Sequence, residues 1–301
     1  MTKSLQTAVI GLGSMGYGMA QSLLRSGHVT HGFDVTSSKM DLFMTEGGAP
    51  GALSDVAPSL QAVVCVVLNA AQTENVLFGN DGIAPKLPEG AVILSCATVP
   101  PDFAHNMETR CAALGVHYLD SPISGGALKA SQGRLSIMAS GTPTAFATAL
   151  PVLDSLAETV FELGDNAGPG SAMKATNQLL AGVHIAAMAE AITFGITQGI
   201  APDTFLDVIS KCAGTSWMLE NRAPHIVSGD YTPRSSVNIW PKDLGIVTEM
   251  AAASGFAAPI TQTALAQFQS AADLGLGLED DAAVAKVYAH RSGLTLPGEN
   301  T

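Results

Sequence analysis

Three glycines, one carboxylate and one lysine are the residues of this 301-residue chain whose types and spacing could do chemistry together. Gly11, Gly13 and Gly16 spell GxGxxG in the segment GLGSMG, and Asp34 follows. In the loop formed by Gly11, Leu12, Gly13, Ser14, Met15 and Gly16, the first glycine permits a tight turn. The second leaves room for a pyrophosphate against bare backbone, and the third lets a helix pack close to a strand. The helix that opens there offers unpaired N–H groups and the positive end of its dipole to phosphates. A carboxylate at the end of the next strand accepts hydrogen bonds from the adenine ribose hydroxyls and repels a 2′-phosphate. No arginine stands in residues 35–39, so NAD is expected rather than NADP. Such a glycine pattern alone is weak evidence, but a flanking strand, helix and acid make it specific. Lys174 stands in GPGSAMKATNQ, with Asn177 three residues on and Gln178 four, so the three share a helical face. An amine partly removed from water there has its pKa lowered from about 10.4 and can exchange a proton with a substrate hydroxyl. Taken singly, a lysine near a helix start is ordinarily a solvated side chain, and Asp34 could be a turn or N-cap residue.

These residues need elements to hold them. Short apolar runs at 8–10, 29–33, 63–68, 91–95, 116–119, 135–139 and 160–163 alternate with amphipathic stretches, the first of which, 15–25, is ended by Gly27. That repetition predicts a Rossmann-type α/β domain with a mostly parallel sheet and helices on both faces. After residue 163 glycines and a proline punctuate the chain, and residues 171–199 then run without proline. One long interdomain helix is expected, spanning about 40 Å at about 1.5 Å per residue. Further helices at 202–211, 216–226, 242–253, 260–272 and 282–290 would complete an all-α C-terminal domain. The expected division is residues 1–165 for NAD binding and residues 166–301 for substrate and oligomerisation, with a dimer or tetramer built on the helical half.

A net charge of −12 would repel nucleic acid and anionic lipid, so neither is an expected partner. No apolar stretch free of polar breaks is read as long enough to span a membrane, and residues 1–3 lead into the first strand without a signal-peptide pattern. A cytoplasmic protein is expected. Cys65, Cys96, Cys111 and Cys212 show no CxxC or CxxH spacing; they read as free thiols, and no metal-ligand set is expected.

Five segments together resemble the β-hydroxyacid dehydrogenases, the family of 3-hydroxyisobutyrate dehydrogenase and tartronate semialdehyde reductase, over essentially the whole chain. They are GLGSMGYGMA from Gly11, Ser95-Cys96-Ala97-Thr98, DSPISGG from Asp120 to Gly126, GPGSAMKATNQLL around Lys174, and Lys242-Asp243-Leu244. The resemblance implies that Lys174 is catalytic and Asn177 orients the substrate beside it. It also implies that Ser124, Gly125 and Gly126 hold the substrate carboxylate, while Thr98 and Lys242 contact the nicotinamide end of the cofactor. Bare chemistry agrees for the first group, because a hydroxyl and exposed N–H groups on a turn can bind a carboxylate without formal charge. For Thr98 a helix cap before Pro100 and for Lys242 a surface lysine are the plain alternatives. Gln178 departs from the second asparagine usual in the family, which leaves its role open. The segments from Ala213 and from Leu278 resemble the branch that oxidises four-carbon sugar acids such as L-threonate. NAD-dependent oxidation of a small anionic hydroxy acid at its C2 hydroxyl follows as the expectation. Trp217 and Asn221 could border the pocket, although Trp217 could equally be a helical core residue. A 3-hydroxyacid dehydrogenase of the same family and a non-catalytic dinucleotide-binding sensor or scaffold are the competing readings.

Overall fold

A computed structural model of the protein describes residues 4–299; the reading made of residues 1–3 lies outside that range. The chain packs as two compact units that divide at Lys174/Ala175. In the first, strands β1 (Gln6–Ile10), β2 (Val29–Phe33), β3 (Ala62–Cys65), β4 (Val92–Ser95) and β5 (His117–Asp120) form one sheet in the order β2-β1-β3-β4-β5. All four pairings are parallel. Strands β3 and β4, AVVC and VILS, are buried at every position, as a sheet covered on both faces requires. The covering helices are α1 (Gly16–Arg25), α2 (Ser37–Thr45), α3 (Leu53–Val56), α4 (Ala70–Phe78), α5 (Pro101–Ala112), α6 (Gly126–Gln132) and α7 (Pro143–Leu156). The chain leaves β1 for β2 on one side and then crosses to β3 on the other. The loop after β1 therefore lies at the switch point of the sheet, where α/β proteins bind ligands.

The expected strands at 135–139 and 160–163 do not extend that sheet. They are β7 (Leu135–Ala139) and β8 (Ala157–Glu162) of a second, three-stranded sheet ordered β6-β7-β8, in which the two-residue β6 (Ile123–Ser124) runs antiparallel to β7. A single antiparallel bridge, Asp120 with Ser140, ties the end of β5 to the end of β7.

Helix α8 (Pro169–Thr197) is the long helix expected, unbroken over 29 residues. An 18-residue window within it has a mean hydropathy of 1.7. By length and composition it could cross a membrane, but Lys174, Asn177, Gln178, His184 and Glu190 interrupt its apolar run. Ile185, Met188, Ala189 and Ile192 lie in the core of the second unit, the setting of a core helix. That unit continues with α9 (Pro202–Ile209), α10 (Trp217–Ser228), α11 (Ile239–Ala253), α12 (Pro259–Ala271) and α13 (Ala285–Ser292). Gly182 lets α8 and α11 meet: a Cβ there would fall 2.9 Å from side-chain atoms of both Leu244 and Trp240. The segment before α13 is pinned through its acids. Asp281 accepts from Arg222 Nε at 2.5 Å and Trp240 Nε1 at 3.0 Å, and Asp280 pairs with His225 Nδ1 at 2.8 Å.

Candidate dinucleotide and proton-transfer site

The glycine loop is shaped by contact on two sides and left open on a third. Gly11 has φ +100°, and a Cβ there would lie 2.2 Å from the Val66 carbonyl oxygen; one on Gly16 would lie 1.8 Å from the Gly11 oxygen. Neither position tolerates a side chain. Gly13 is exposed and has nothing within 4 Å of its Cβ position, so its backbone stays accessible to an incoming group. Helix α1 starts with no side-chain cap and no acidic residue in its first turn, which leaves its N-terminal N–H groups and dipole available to an anion. An open cradle at Gly13 against an uncapped helix start fits a pyrophosphate. Ser14 is exposed beside it, and Met15 is half-buried.

Asp34 stands just past β2 and closes on this loop. The Leu12 N–H donates to its Oδ2 at 2.7 Å, the Thr36 N–H donates to its Oδ1 at 2.9 Å, and Lys39 Nζ lies 3.6 Å away. Burial pushes the carboxyl pKa up, but these N–H groups and the lysine outweigh burial and hold it below the usual carboxylate range. Asp34 is thus charged at neutral pH and fastened to the loop whose ligand it would share. Thr98 is buried three positions beyond the last residue of β4, also at the carboxyl end of the parallel sheet. The N-cap of α5 is Pro100, so a capping role for Thr98 falls away.

Lys174 belongs to the first unit and is 9% exposed. Its Nζ donates to the carbonyl of Ile123 at 2.9 Å, immediately before Ser124. Gly125 and Gly126 both have positive φ, +136° and +76°, and Gly126 has open space at its Cβ position. The predicted amine and the predicted Ser124-Gly125-Gly126 turn are therefore neighbours. Buried and held by a carbonyl, the amine can take or return one proton at Nζ, while Ser124 Oγ and the turn N–H groups can meet an anion.

In the second unit the predicted residues form a chain of polar contacts. Asn177 Nδ2 donates to Gln178 Oε1 at 3.0 Å, Gln178 Nε2 donates to Asp243 Oδ2 at 2.5 Å, and Lys242 Nζ lies 2.7 Å from Asp243 Oδ1. Gln178 and Asp243 are buried, and their bond joins α8 to α11 where Gly182 lets the helices approach. The long amide at position 178 is a structural link. Trp217 is 61% exposed and is not a core residue.

Two family models match, the NAD-binding domain of 6-phosphogluconate dehydrogenase over residues 6–164 and the NAD-binding domain of NADP-dependent 3-hydroxyisobutyrate dehydrogenase over residues 168–288. The chain is 46% identical over 297 residues to an L-threonate dehydrogenase of Cupriavidus necator, covering 98% of this chain and 99% of that one. This chain belongs to the β-hydroxyacid dehydrogenase family. It is an NAD-dependent oxidoreductase, and the reading as a scaffold without chemistry gives way. An L-threonate dehydrogenase of Escherichia coli K12 is 44% identical over 293 residues, 96% of each chain. The crystal structure of a 3-hydroxyisobutyrate dehydrogenase from Salmonella typhimurium is similar with a TM-score of 0.90 and 44% identity, over 94% of this chain and 100% of that one. The names of these relatives divide over the substrate.

The DSPISGG segment of this β-hydroxyacid dehydrogenase opens on a buried acid to which the resemblance assigns no role. Asp120 is 1% exposed at the end of β5. Its Oδ2 accepts the N–H groups of Gly168 at 3.1 Å and Ser171 at 2.8 Å and the Ser140 hydroxyl at 3.2 Å; its Oδ1 accepts the Ser171 hydroxyl at 2.7 Å. Burial pushes its pKa up and these donors oppose that. The DSP motif was visible in the sequence, but the donors stand 48 and 51 residues away.

Proposed function

We propose that this dehydrogenase oxidises the C2 hydroxyl of a four-carbon sugar acid, L-threonate foremost, to the 2-keto acid, 2-dehydro-L-erythronate, with NAD in preference to NADP. The observation that carries it is the buried Lys174 amine 2.9 Å from the Ile123 carbonyl, next to a hydroxyl and two positive-φ glycines, of which Gly126 is open at its Cβ position. NAD, when bound, supplies the hydride acceptor. Ser124 and the N–H groups of Gly125 and Gly126 bind the substrate carboxylate and orient C2. Lys174 Nζ takes the hydroxyl proton as C2 is oxidised, and returns it in the reverse direction. Gly11, Leu12, Gly13, Ser14, Met15 and Gly16 bind the pyrophosphate, and Asp34 binds the adenine ribose. The roles of Thr98 and Lys242 toward the nicotinamide end, and of Asn177 toward the substrate, rest on the family resemblance. The cytoplasm is the proposed setting, in keeping with four free thiols.

Reading the Salmonella relative's name across would give 3-hydroxyisobutyrate as the substrate instead. Formation of reduced nicotinamide, measured with L-threonate, D-threonate, D-erythronate, D-glycerate and 3-hydroxyisobutyrate, decides between them. L-threonate is expected to give the highest kcat/KM. Lys174→Ala is expected to lose at least about a hundredfold in kcat, the scale of a lost proton-transfer group. A higher kcat/KM for 3-hydroxyisobutyrate rejects the sugar acid, and full turnover in Lys174→Ala removes the lysine from the mechanism.

A further inference from the structure

The carboxylate of Asp120 accepts hydrogen bonds from Ser171, which stands one helical turn before Lys174 in α8, and every partner it has there is a donor to it. Oδ2 faces two backbone N–H groups that can only donate, so a proton on this carboxyl would have to sit on Oδ1, toward the Ser171 hydroxyl. The partners in these hydrogen bonds are hydroxyls and the first N–H groups of α8, which offset a buried negative charge through the helix dipole and charge-assisted hydrogen bonds. Ser140 Oγ also accepts the Gly170 N–H at 2.9 Å, so consecutive residues at the helix start are fastened to the ends of β5 and β7. The Asp120 side chain thus fixes where the helix carrying Lys174 begins. Three residues after Asp120, the carbonyl of Ile123 receives the Lys174 amine. One short segment, 120–123, holds both ends of the span 168–174.

We propose that Asp120 is a positioning residue for Lys174, setting the amine against the Ser124-Gly125-Gly126 turn by clamping the first turn of α8. The proposal rests on the catalytic reading of Lys174, and its test separates the two. In Asp120→Asn the negative charge that draws the helix-start N–H groups is lost and the Ser171 hydroxyl hydrogen bond must reverse to accept the NH2 group, so the helix start is held less firmly. Expected is a fall in kcat of roughly tenfold to a hundredfold, the effect of about 1 Å of misplacement, with KM and the calorimetric Kd for NAD changed by no more than about twofold. Acetylation of Lys174, read by peptide mass spectrometry against the exposed Lys211, should quicken several-fold in the same variant.

Ser171→Ala removes only the Oδ1 partner and should show the same pattern more weakly; it decides the question if Asp120→Asn fails to fold. Wild-type kcat together with wild-type Lys174 labelling overturns the proposal. So does a loss of NAD affinity as large as the loss in kcat, which would mark Asp120 as merely structural. If Lys174→Ala keeps full turnover while labelling still quickens in Asp120→Asn, the catalytic reading of Lys174 fails and the clamp on the helix remains.

Discussion

Asp34 shows at the level of a single residue how cofactor choice can be built from a loop and a strand end. Its Oδ2 is already engaged by the Leu12 N–H, so the carboxylate is fastened to the glycine loop. Its negative charge is secured by the Thr36 N–H and by Lys39 against the cost of burial. Lys39, 3.6 Å away and 42% exposed, is neutralised only while Asp34 is charged. Asp34→Asn keeps the shape and removes the repulsion toward a 2′-phosphate, leaving Lys39 free to meet it. The ratio of Kd values for NADP and NAD, measured by calorimetry, should fall by about tenfold or more, since an interaction with a charged group contributes about 1.5–3 kcal/mol and each 1.4 kcal/mol is tenfold. An unchanged ratio would remove Asp34 from cofactor choice.

At the scale of the element, the three glycines of the opening loop separate packing from binding. Gly16→Ala drives a methyl into the Gly11 carbonyl and should lower the melting temperature markedly, with or without cofactor. Gly13→Ala meets no protein atom within 4 Å and its φ is not positive, so the fold should keep its melting temperature while NAD affinity falls about a hundredfold or more, the outcome of a methyl occupying the phosphate cradle. Calorimetry beside thermal melting checks both; an equal loss of stability in the two variants would refute the distinction. The close packing at Gly16 was legible in the sequence because it is set by Gly11, five residues away. The long helix was legible just as locally, as a proline-free run after Gly168-Pro169-Gly170. Strand β6 was not, since two residues have no periodicity and pair only because β7 lies alongside. The apolar runs behind β7 and β8 revealed strands but not which sheet they join. Asp120 and Gln178 escaped for a tertiary reason: their partners are 51 and 65 residues distant, and an acid at a strand end or an amide on a helix looks alike with or without them.

Across the whole molecule, pH should act on stability through buried carboxylates that differ in sign. Burial raises the pKa of Asp120 and of Asp281. Asp280 is opposite: burial pushes it up, but hydrogen bonds from His225, Arg234 and Ala282, with the charge of His225, bring it below the ordinary value. Between that depressed value and the unfolded pKa of about 3.9, the unfolded chain binds the proton more readily, so stability rises with pH in that window. The Asp280 contribution is fully present above the unfolded value and is lost as pH falls through the folded one. Because its partners lie on α10 and in the segment around Arg234, the loss should appear as unfolding of the helical unit. Asp280→Asn should lower the melting temperature at neutral pH, where the charged group contributes fully, and should lose less on going from about pH 5 to pH 3 than the parent protein does. Far-ultraviolet circular dichroism melts across that range measure the difference. Parallel curves for the two proteins would mean that Asp280 titrates alike in both states and contributes nothing to acid sensitivity.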